Sequence, residues 1–194
     1  MHEERYYHIG QAVARTGFQA PLISPVDGME AGRADGFPRL RRALLAGLVA
    51  LLVILADQLS TSWALSRLSK GPIHVVGPLS LSLGMNTGFS FGIARGNSPI
   101  IAVVALLFVV VLAWMTLMTK SMPLAAAYGM IIGGALGNLA DRVFRANHGA
   151  VVDFIHLRYW PTFNVADACI DIGVLLVVVV WTAQSIRTQR ESQD

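Results

Sequence analysis

Four long stretches of apolar residues follow one another along the chain. They cover about residues 43–65, 99–119, 124–143 and 165–186. Each is close to the roughly 20 residues that an α-helix needs to cross the hydrocarbon core of a bilayer. The pattern therefore predicts an all-α integral membrane protein whose four spanning helices occupy a domain of residues 39–190.

A different pattern, with a period of two, lies between the first two spans. The apolar residues that alternate with polar or small ones there are Leu79, Leu81, Leu83, Phe89 and Phe91. Such alternation is typical of half-buried strands, and the NTG at residues 86–88 favours a turn between them. We predict a small β-sheet over about residues 73–96, with a plain loop as the alternative.

The two ends of the chain are polar. Residues 1–38 contain no apolar run and predict a disordered tail rather than a secretory signal; residues 191–194 form a short second tail. The basic residues that lie tightly against the span ends on one side are Arg39, Arg41, Arg42, Lys120, Arg187 and Arg190. Because cytoplasmic flanks are rich in Lys and Arg, and because four spans return the chain to the same side, both termini are predicted to be cytoplasmic.

Composition supports a membrane protein and excludes several other classes. Apolar residues make up 54% of the chain and charged residues 14%, whereas soluble domains have about 45–50% and about 25%. The net charge is only +3, and no basic stripe with interleaved aromatics is present, so a nucleic-acid partner is not expected. Cys169 is the one cysteine, which excludes an intramolecular disulfide and a multi-cysteine metal site.

Polar side chains converge where the spans reach the non-cytoplasmic face. Asp57 lies about 15 residues beyond Arg42, which places it roughly 22 Å across the membrane on a helix. The residues that the order of spans brings to the same level are Asp57, Asn138, Asp141, Asp153 in an outer loop, Asn164 and Asp167. Ionisable groups at membrane depth usually mark function. The small-xxx-small pattern at residues 133–137 predicts a close helix contact that brings Asn138 and Asp141 near Asp167.

Paired carboxylates are the chemistry that these residues favour. Histidines do not recur at metal-ligand spacing on one helix, and a G-x-S-x-G elbow is absent from the sequence. Two aspartates a few ångströms apart share a proton, so that one activates water while the other polarises a carbonyl, as in aspartic proteases. For Asp167 alone, an N-cap of the fourth helix is an equal alternative.

At these residues the chain resembles the lipoprotein signal peptidases, or signal peptidase II, of bacterial inner membranes. The matching motifs are DQ at 57–58, NTGFSFG at 86–92, GGALGNLADR at 133–142, GAVVDF at 149–154 and FNVADACIDIG at 163–173. They occur in family order and cover the chain from about residue 40 onward.

The resemblance implies a membrane aspartic endopeptidase with four transmembrane helices and an extracytoplasmic β-cradle. It would remove signal peptides from diacylglyceryl-modified prolipoproteins by cutting just before the lipidated cysteine, at the periplasmic face of the inner membrane. The catalytic pair would be Asp153 and Asp167. The residues that would support the pair or bind substrate are Asn138, Arg142, Asn164, Asp141, Asn86, Gly88 and Asp57. No cofactor or metal is implied, and we expect a monomer whose partners are the lipidated substrate and membrane lipid.

The chain departs from the family pattern in three places. Thr61 occupies the position where the family usually has a lysine, four residues after the aspartate of the DQ motif. The loop of residues 144–150 is slightly long and that of residues 156–162 slightly short, and the tail of residues 1–38 has no counterpart in the family core.

Two rival functions and one residue stay open at this point. A small transporter or channel would need polar residues through the membrane depth, and a non-catalytic assembly factor would tolerate loss of either catalytic aspartate. Asp171, one helical turn deeper than Asp167, is either protonated or paired with a cation such as Arg142.

Overall fold

Four helices and four strands make up the described part of the chain. The computed structural model describes residues 36–88, 98–145 and 147–191. The helices are α1 (Gly36–Leu68), α2 (Ser98–Met118), α3 (Met122–Phe144) and α4 (Val165–Glu191). The strands are β1 (Ile73–Val76), β2 (Leu79–Asn86), β3 (Val151–Leu157) and β4 (Trp160–Phe163). All four helices are long and apolar enough to cross a membrane, which confirms the predicted fold class.

Two of the helices extend beyond the apolar stretches that predicted them. Helix α1 begins at Gly36 rather than near residue 43, and α4 continues to Glu191 rather than ending near residue 186. The additional turns contain five arginines, and Arg has high helix propensity, so a helix need not stop where its apolar stretch stops. Residues 1–35 and 192–194, which include most of the predicted tails, lie outside the described residues.

The sheet is larger than the sequence predicted, and half of it comes from elsewhere in the chain. Its strand order is β1-β2-β3-β4, and all neighbouring pairs are antiparallel. The expectation that Asp153 lies in an outer loop was wrong, because Asp153 is on β3, opposite Gly84 of β2. The buried stretch VVDF of β3 is the apolar run of a strand covered on both faces. Phe89 and Phe91 lie outside the described residues.

Glycines let α3 approach two other helices closely. A Cβ atom at Gly133 would lie 2.7 Å from the carbonyl oxygen of Ala50 on α1, and one at Gly134 would lie 2.5 Å from that of Ala166 on α4. Neither distance is possible for a real side chain, so only glycine permits this backbone separation. The close helix contact predicted from residues 133–137 is therefore present, and it involves both α1 and α4.

Sheet and helices meet at one end of the bundle. Strand β1 follows the end of α1, β3 follows the end of α3, and β4 precedes the start of α4. Phe154 of β3 packs with Ala64 and Leu68 of α1 in one buried cluster. We call this end, where α1 and α3 finish and α4 begins, the sheet end of the bundle.

The glycine contact gives a stability prediction. We expect Gly133→Ala to lower the free energy of unfolding by about 1–3 kcal/mol, because the added methyl group meets the backbone of α1. The matched control is Gly47→Ala in α1, where no atom lies within 4 Å of the added Cβ; it should be neutral or stabilising by up to about 1 kcal/mol. Thermal unfolding in detergent micelles measures both, and equal effects would contradict the packing described.

Candidate functional site

The first turn of α4 is held by side chains from outside the helix. Asn164 is the residue that caps it, since its Oδ1 accepts a hydrogen bond from the Asp167 amide at 2.9 Å. The Ala166 amide donates to Oδ1 of Asp57, on α1, at 3.0 Å. Amides in the first turn have no partner within the helix, and a carboxylate also interacts favourably with the positive end of the helix dipole. The fully buried Asp57 therefore fixes the start of α4.

Asn138 links the cap to the side chain of Asp167. Its Nδ2 donates to Oδ1 of Asp167 at 2.8 Å, and its Oδ1 accepts from Nδ2 of Asn164 at 2.9 Å. Asp167 is thus held both by its backbone and by one carboxylate oxygen. The alternative that Asp167 is the N-cap was wrong, because Asn164 is the cap and the Asp167 carboxylate is free for another role.

Asp153 offers an oxygen that the described chain leaves unpaired. The residue is only 3% exposed, and its Oδ2 accepts from Nδ2 of Asn86 at 3.1 Å. Asn86 is itself oriented by the Gly88 amide, which donates to Asn86 Oδ1 at 3.0 Å. Oδ1 of Asp153 is buried and has no hydrogen-bond partner among the described residues. Buried polar atoms are nearly always paired, so this oxygen is positioned for water or a bound group.

The two aspartates interact electrostatically. Burial, and after it the charge of Asp167, raise the pKa of Asp153 from 3.8 to about 7. The hydrogen bond from Asn86 and the positive charge of Arg142 oppose this rise in the pKa of Asp153. Asp153 is therefore partly protonated near neutral pH, where an ordinary aspartate is fully ionised.

Arg142 joins α3 to the segment after β2. Its Nη2 donates to the carbonyl oxygen of Gly88 at 2.7 Å, and its Nη1 donates to that of Asn138 at 3.2 Å. Nε of Arg142 is buried and has no partner among the residues described. Arg142 therefore supplies a fixed positive charge and a spare N–H donor beside the two aspartates.

A cavity of about 310 Å³ opens beside these groups. Its polar lining comes from the sheet end and its apolar lining from α2, α3 and α4; the residues are Asn86, Ile101, Val104, Ala105, Phe108, Ile131, Ala135, Asn138, Arg142, Val151, Asp167 and Ile170. A concave apolar site with a few convergent polar groups is the usual form of a ligand-binding site. Asp167 reaches this cavity directly, and Asp153 is bonded to Asn86 at its edge.

The cavity lining does not include three residues that the sequence analysis singled out, Asp141, Thr61 and Asp171. Asp141 is fully buried, and its Oδ2 accepts from the Val152 amide at 3.1 Å. Thr61 is also fully buried, and its Oγ1 has no partner within the described ranges. Asp171 is exposed on the surface of α4, and Arg142 donates to backbone oxygens rather than to Asp171.

Sequence reasoning missed two residues that complete the surroundings of Asp141. Gln58 donates to Oδ1 of Asp141 at 3.0 Å, and Arg145 donates to the same oxygen at 2.6 Å. The signal for Arg145 was its position four residues after Asp141, which places both side chains on one helix face. Within the described residues, no group of three or more His, Cys, Asp or Glu is arranged to hold a metal ion.

Comparison with known proteins agrees on one family. The family model described as signal peptidase (SPase) II matches residues 49–183. A lipoprotein signal peptidase of Mycobacterium bovis is 37% identical over 172 residues, covering 85% of this chain and 84% of that protein. One from Syntrophomonas wolfei is 38% identical over 147 residues, covering 73% and 95%. A solved structure of a bacterial membrane enzyme shares the fold, with a TM-score of 0.65 and 24% identity over 72% of this chain and 88% of the other.

The raised pKa of Asp153 gives a prediction on pH and stability. A carboxyl with a higher pKa in the folded protein than in the unfolded chain destabilises the fold as pH rises from about 4 to about 7. Asp153→Asn removes this loss. The unfolding free energy of Asp153→Asn, relative to that of wild type, should therefore increase between about pH 4 and about pH 7, by at most about 1.4 kcal/mol per pH unit. Above about pH 7 the difference should stay constant. Thermal unfolding at several pH values measures it; a difference independent of pH would contradict the assignment.

Proposed function

Because the chain belongs to the signal peptidase II family of proteases, we propose that it cleaves signal peptides from prolipoproteins in the membrane, as an aspartic endopeptidase. The observation that carries the proposal is the pairing of Asp153 and Asp167. They come from a strand and a helix, and the charge of Asp167 raises the pKa of Asp153. Asn86 and Asn138 hold them at the polar end of an apolar cavity.

In the proposed reaction the two carboxyls divide acid and base work. Asp153 acts in its protonated form, which a pKa of about 7 keeps populated near neutral pH. It donates a hydrogen bond and then its proton to the oxygen of the scissile carbonyl. Asp167 takes a proton from a water molecule, whose oxygen adds to the carbonyl carbon. When the tetrahedral intermediate collapses, Asp153 regains its proton from the intermediate's hydroxyl and Asp167 gives its proton to the leaving amine. Both carboxyls then return to their starting states.

Neighbouring groups support this chemistry without moving a proton. Asn138 fixes the Asp167 carboxylate and Asn164 fixes its backbone. The unpaired Nε of Arg142 is a donor suited to a substrate carbonyl, while its two terminal nitrogens hold Gly88 and Asn138 in place. Asp57 and Asp141 act on the fold, because their oxygens bond to amides of Ala166 and Val152.

The cavity suits a substrate whose cleavage site is next to a lipidated cysteine. Its lining is apolar on α2, α3 and α4 and polar only near Asp167, so acyl chains and an apolar peptide segment can remain in a lipid-like environment while the scissile bond reaches the aspartates.

The positions of the polar residues support a transporter or channel less well than they support a protease. A proton relay needs ionisable groups through the membrane depth. Helix α2 contains no charged residue, and the polar site groups gather at the sheet end. This distribution favours chemistry at one face.

Loss of either aspartate should abolish cleavage. We expect Asp153→Asn and Asp167→Asn each to reduce kcat by at least about 10³-fold, since members of one catalytic unit are strongly non-additive. Asp171→Asn is the matched control; it lies on the same helix but is exposed, and should retain most activity near pH 7. The assay is cleavage of a purified lipidated prolipoprotein. Substantial turnover by a folded Asp153 or Asp167 variant would reject the pair and favour a non-catalytic role.

The proposed orientation places the sheet end outside the cytoplasm and both termini inside it. In a Cys169→Ser background, Tyr159→Cys at the exposed β3–β4 turn should react with a membrane-impermeant maleimide in intact spheroplasts. Thr188→Cys, exposed near the end of α4, should react only after permeabilisation. The reverse labelling pattern would contradict the orientation.

A further inference from the structure

A second polar cluster joins α1, the end of α3 and β3 without contacting either proposed catalytic carboxyl. We call it the outer clamp; its members are Gln58, Ser62, Asp141, Arg145 and the amide of Val152. It is separate from the set of bonds that Asn138 makes to Asn164 and Asp167.

Asp141 is the centre of the outer clamp. Its side chain is fully buried and accepts three hydrogen bonds. Oδ1 accepts from Nε of Arg145 at 2.6 Å and from Nε2 of Gln58 at 3.0 Å, and Oδ2 accepts from the Val152 amide at 3.1 Å. Val152 immediately precedes Asp153, so this last bond holds the backbone of β3 next to the proposed acid.

Arg145 is the charged partner of the buried Asp141 carboxylate. It is the C-cap residue of α3, its side chain is 21% exposed, and it makes the only ion pair among the residues described. Its Nη2 also donates to Oε1 of Gln58 at 3.0 Å and to Oγ of Ser62 at 3.3 Å, which ties the end of α3 to α1. A buried carboxylate is unfavourable unless it is paired and hydrogen-bonded.

We propose that Arg145 is a positioning residue for cleavage: by pairing with Asp141 it fixes the Val152 backbone, so that Asp153 keeps its place relative to Asp167. Without the guanidinium, Asp141 loses its ion pair and the hydrogen bond from Arg145, which loosens its bond to the Val152 amide of β3. A displacement of about 1 Å at a reacting group costs on the order of 10²-fold in rate. This inference rests on the proposed function, since the rate concerned is that of peptide cleavage.

The first test separates kcat from KM. In the purified full-length protein, Arg145→Gln should lower kcat for a lipidated prolipoprotein by about 10- to 100-fold, with KM changed by less than about twofold. Arg145→Lys should recover part of the loss, because it keeps the charge but not the fork of donors. The matched control is Arg158→Gln. Arg158 stacks on the exposed Tyr159 at the β3–β4 turn, so its loss should leave kcat unchanged.

The second test measures hydrogen exchange of the Val152 amide, which reports directly on its hydrogen bond to Asp141. Exchange at Val152 should accelerate in Arg145→Gln and not in Arg158→Gln, while the amides of buried residues in the middle of α3 exchange as in wild type. Unchanged kcat in Arg145→Gln, or exchange that rises equally throughout the helices, would overturn the inference. If Arg145→Gln does not fold, Arg145→Lys takes its place: a kcat below wild type with Val152 exchange unchanged from wild type would then overturn the inference.

The two tests also distinguish this inference from the proposed function. A wild-type protein that fails to cleave the lipidated prolipoprotein would reject the proposed function. Exchange at Val152 would still decide whether Arg145 holds β3, because that measurement needs no substrate.

Discussion

The hydrogen bond from the Ala166 amide to Asp57 is the interaction on which the site depends most. Helix α4 begins inside the protein, where water cannot satisfy its first amides, and an unpaired amide is costly in such surroundings. Asp57 of α1 satisfies one of them at 3.0 Å. Glycine at position 137 makes room for this carboxylate, since a Cβ there would lie 2.8 Å from Asp57 Oδ2. The start of α4, and with it Asp167, is therefore set by the packing of three helices.

A small number of contacts also positions Asp153 of β3 relative to Asp167 of α4. Asp153 is placed by the sheet, which packs on α1 through Phe154, and Asp167 is placed by the cap of α4. Each carboxylate has one oxygen bonded to an asparagine, Asn86 or Asn138. The arrangement leaves the remaining oxygen of Asp153 unpaired among the described residues. Proteolysis at a lipid boundary needs this combination of rigidly held acids and an apolar cavity that keeps the rest of the substrate out of water.

The four helices and the common level of the site residues could be predicted from the sequence, because they follow from hydrophobic periodicity and chain direction. Four apolar spans determine on which face Asp57, Asn138 and Asp167 lie, and the glycine spacing predicts close helix packing.

Strands β3 and β4 were missed because a short apolar run such as VVDF has no periodicity of its own, and its partner β2 is more than 60 residues away. The predicted start of α4 at residue 165 agrees with the structure. The cap stayed open because Asn and Asp are both favoured N-cap residues, so residue type alone does not choose between Asn164 and Asp167. In the outer clamp, only the spacing of Asp141 and Arg145 is a local signal. Its bonds to Gln58 and Ser62 join residues more than 80 positions apart, so no local pattern reveals them. The roles of individual site residues, the two tails and the orientation remain predictions.

The most direct measurement of the central claim, that Asp153 and Asp167 form one coupled pair, is the titration of Asp153 itself. Infrared difference spectra between wild type and Asp153→Asn isolate the carboxyl signal of Asp153 as a function of pH. We expect its proton to be lost near pH 7 in wild type and at clearly lower pH in an Asp167→Asn background, because the charge of Asp167 raises the pKa of Asp153. An Asp153 titration near pH 4 in wild type, or one that does not move when Asp167 is neutralised, would contradict the pair.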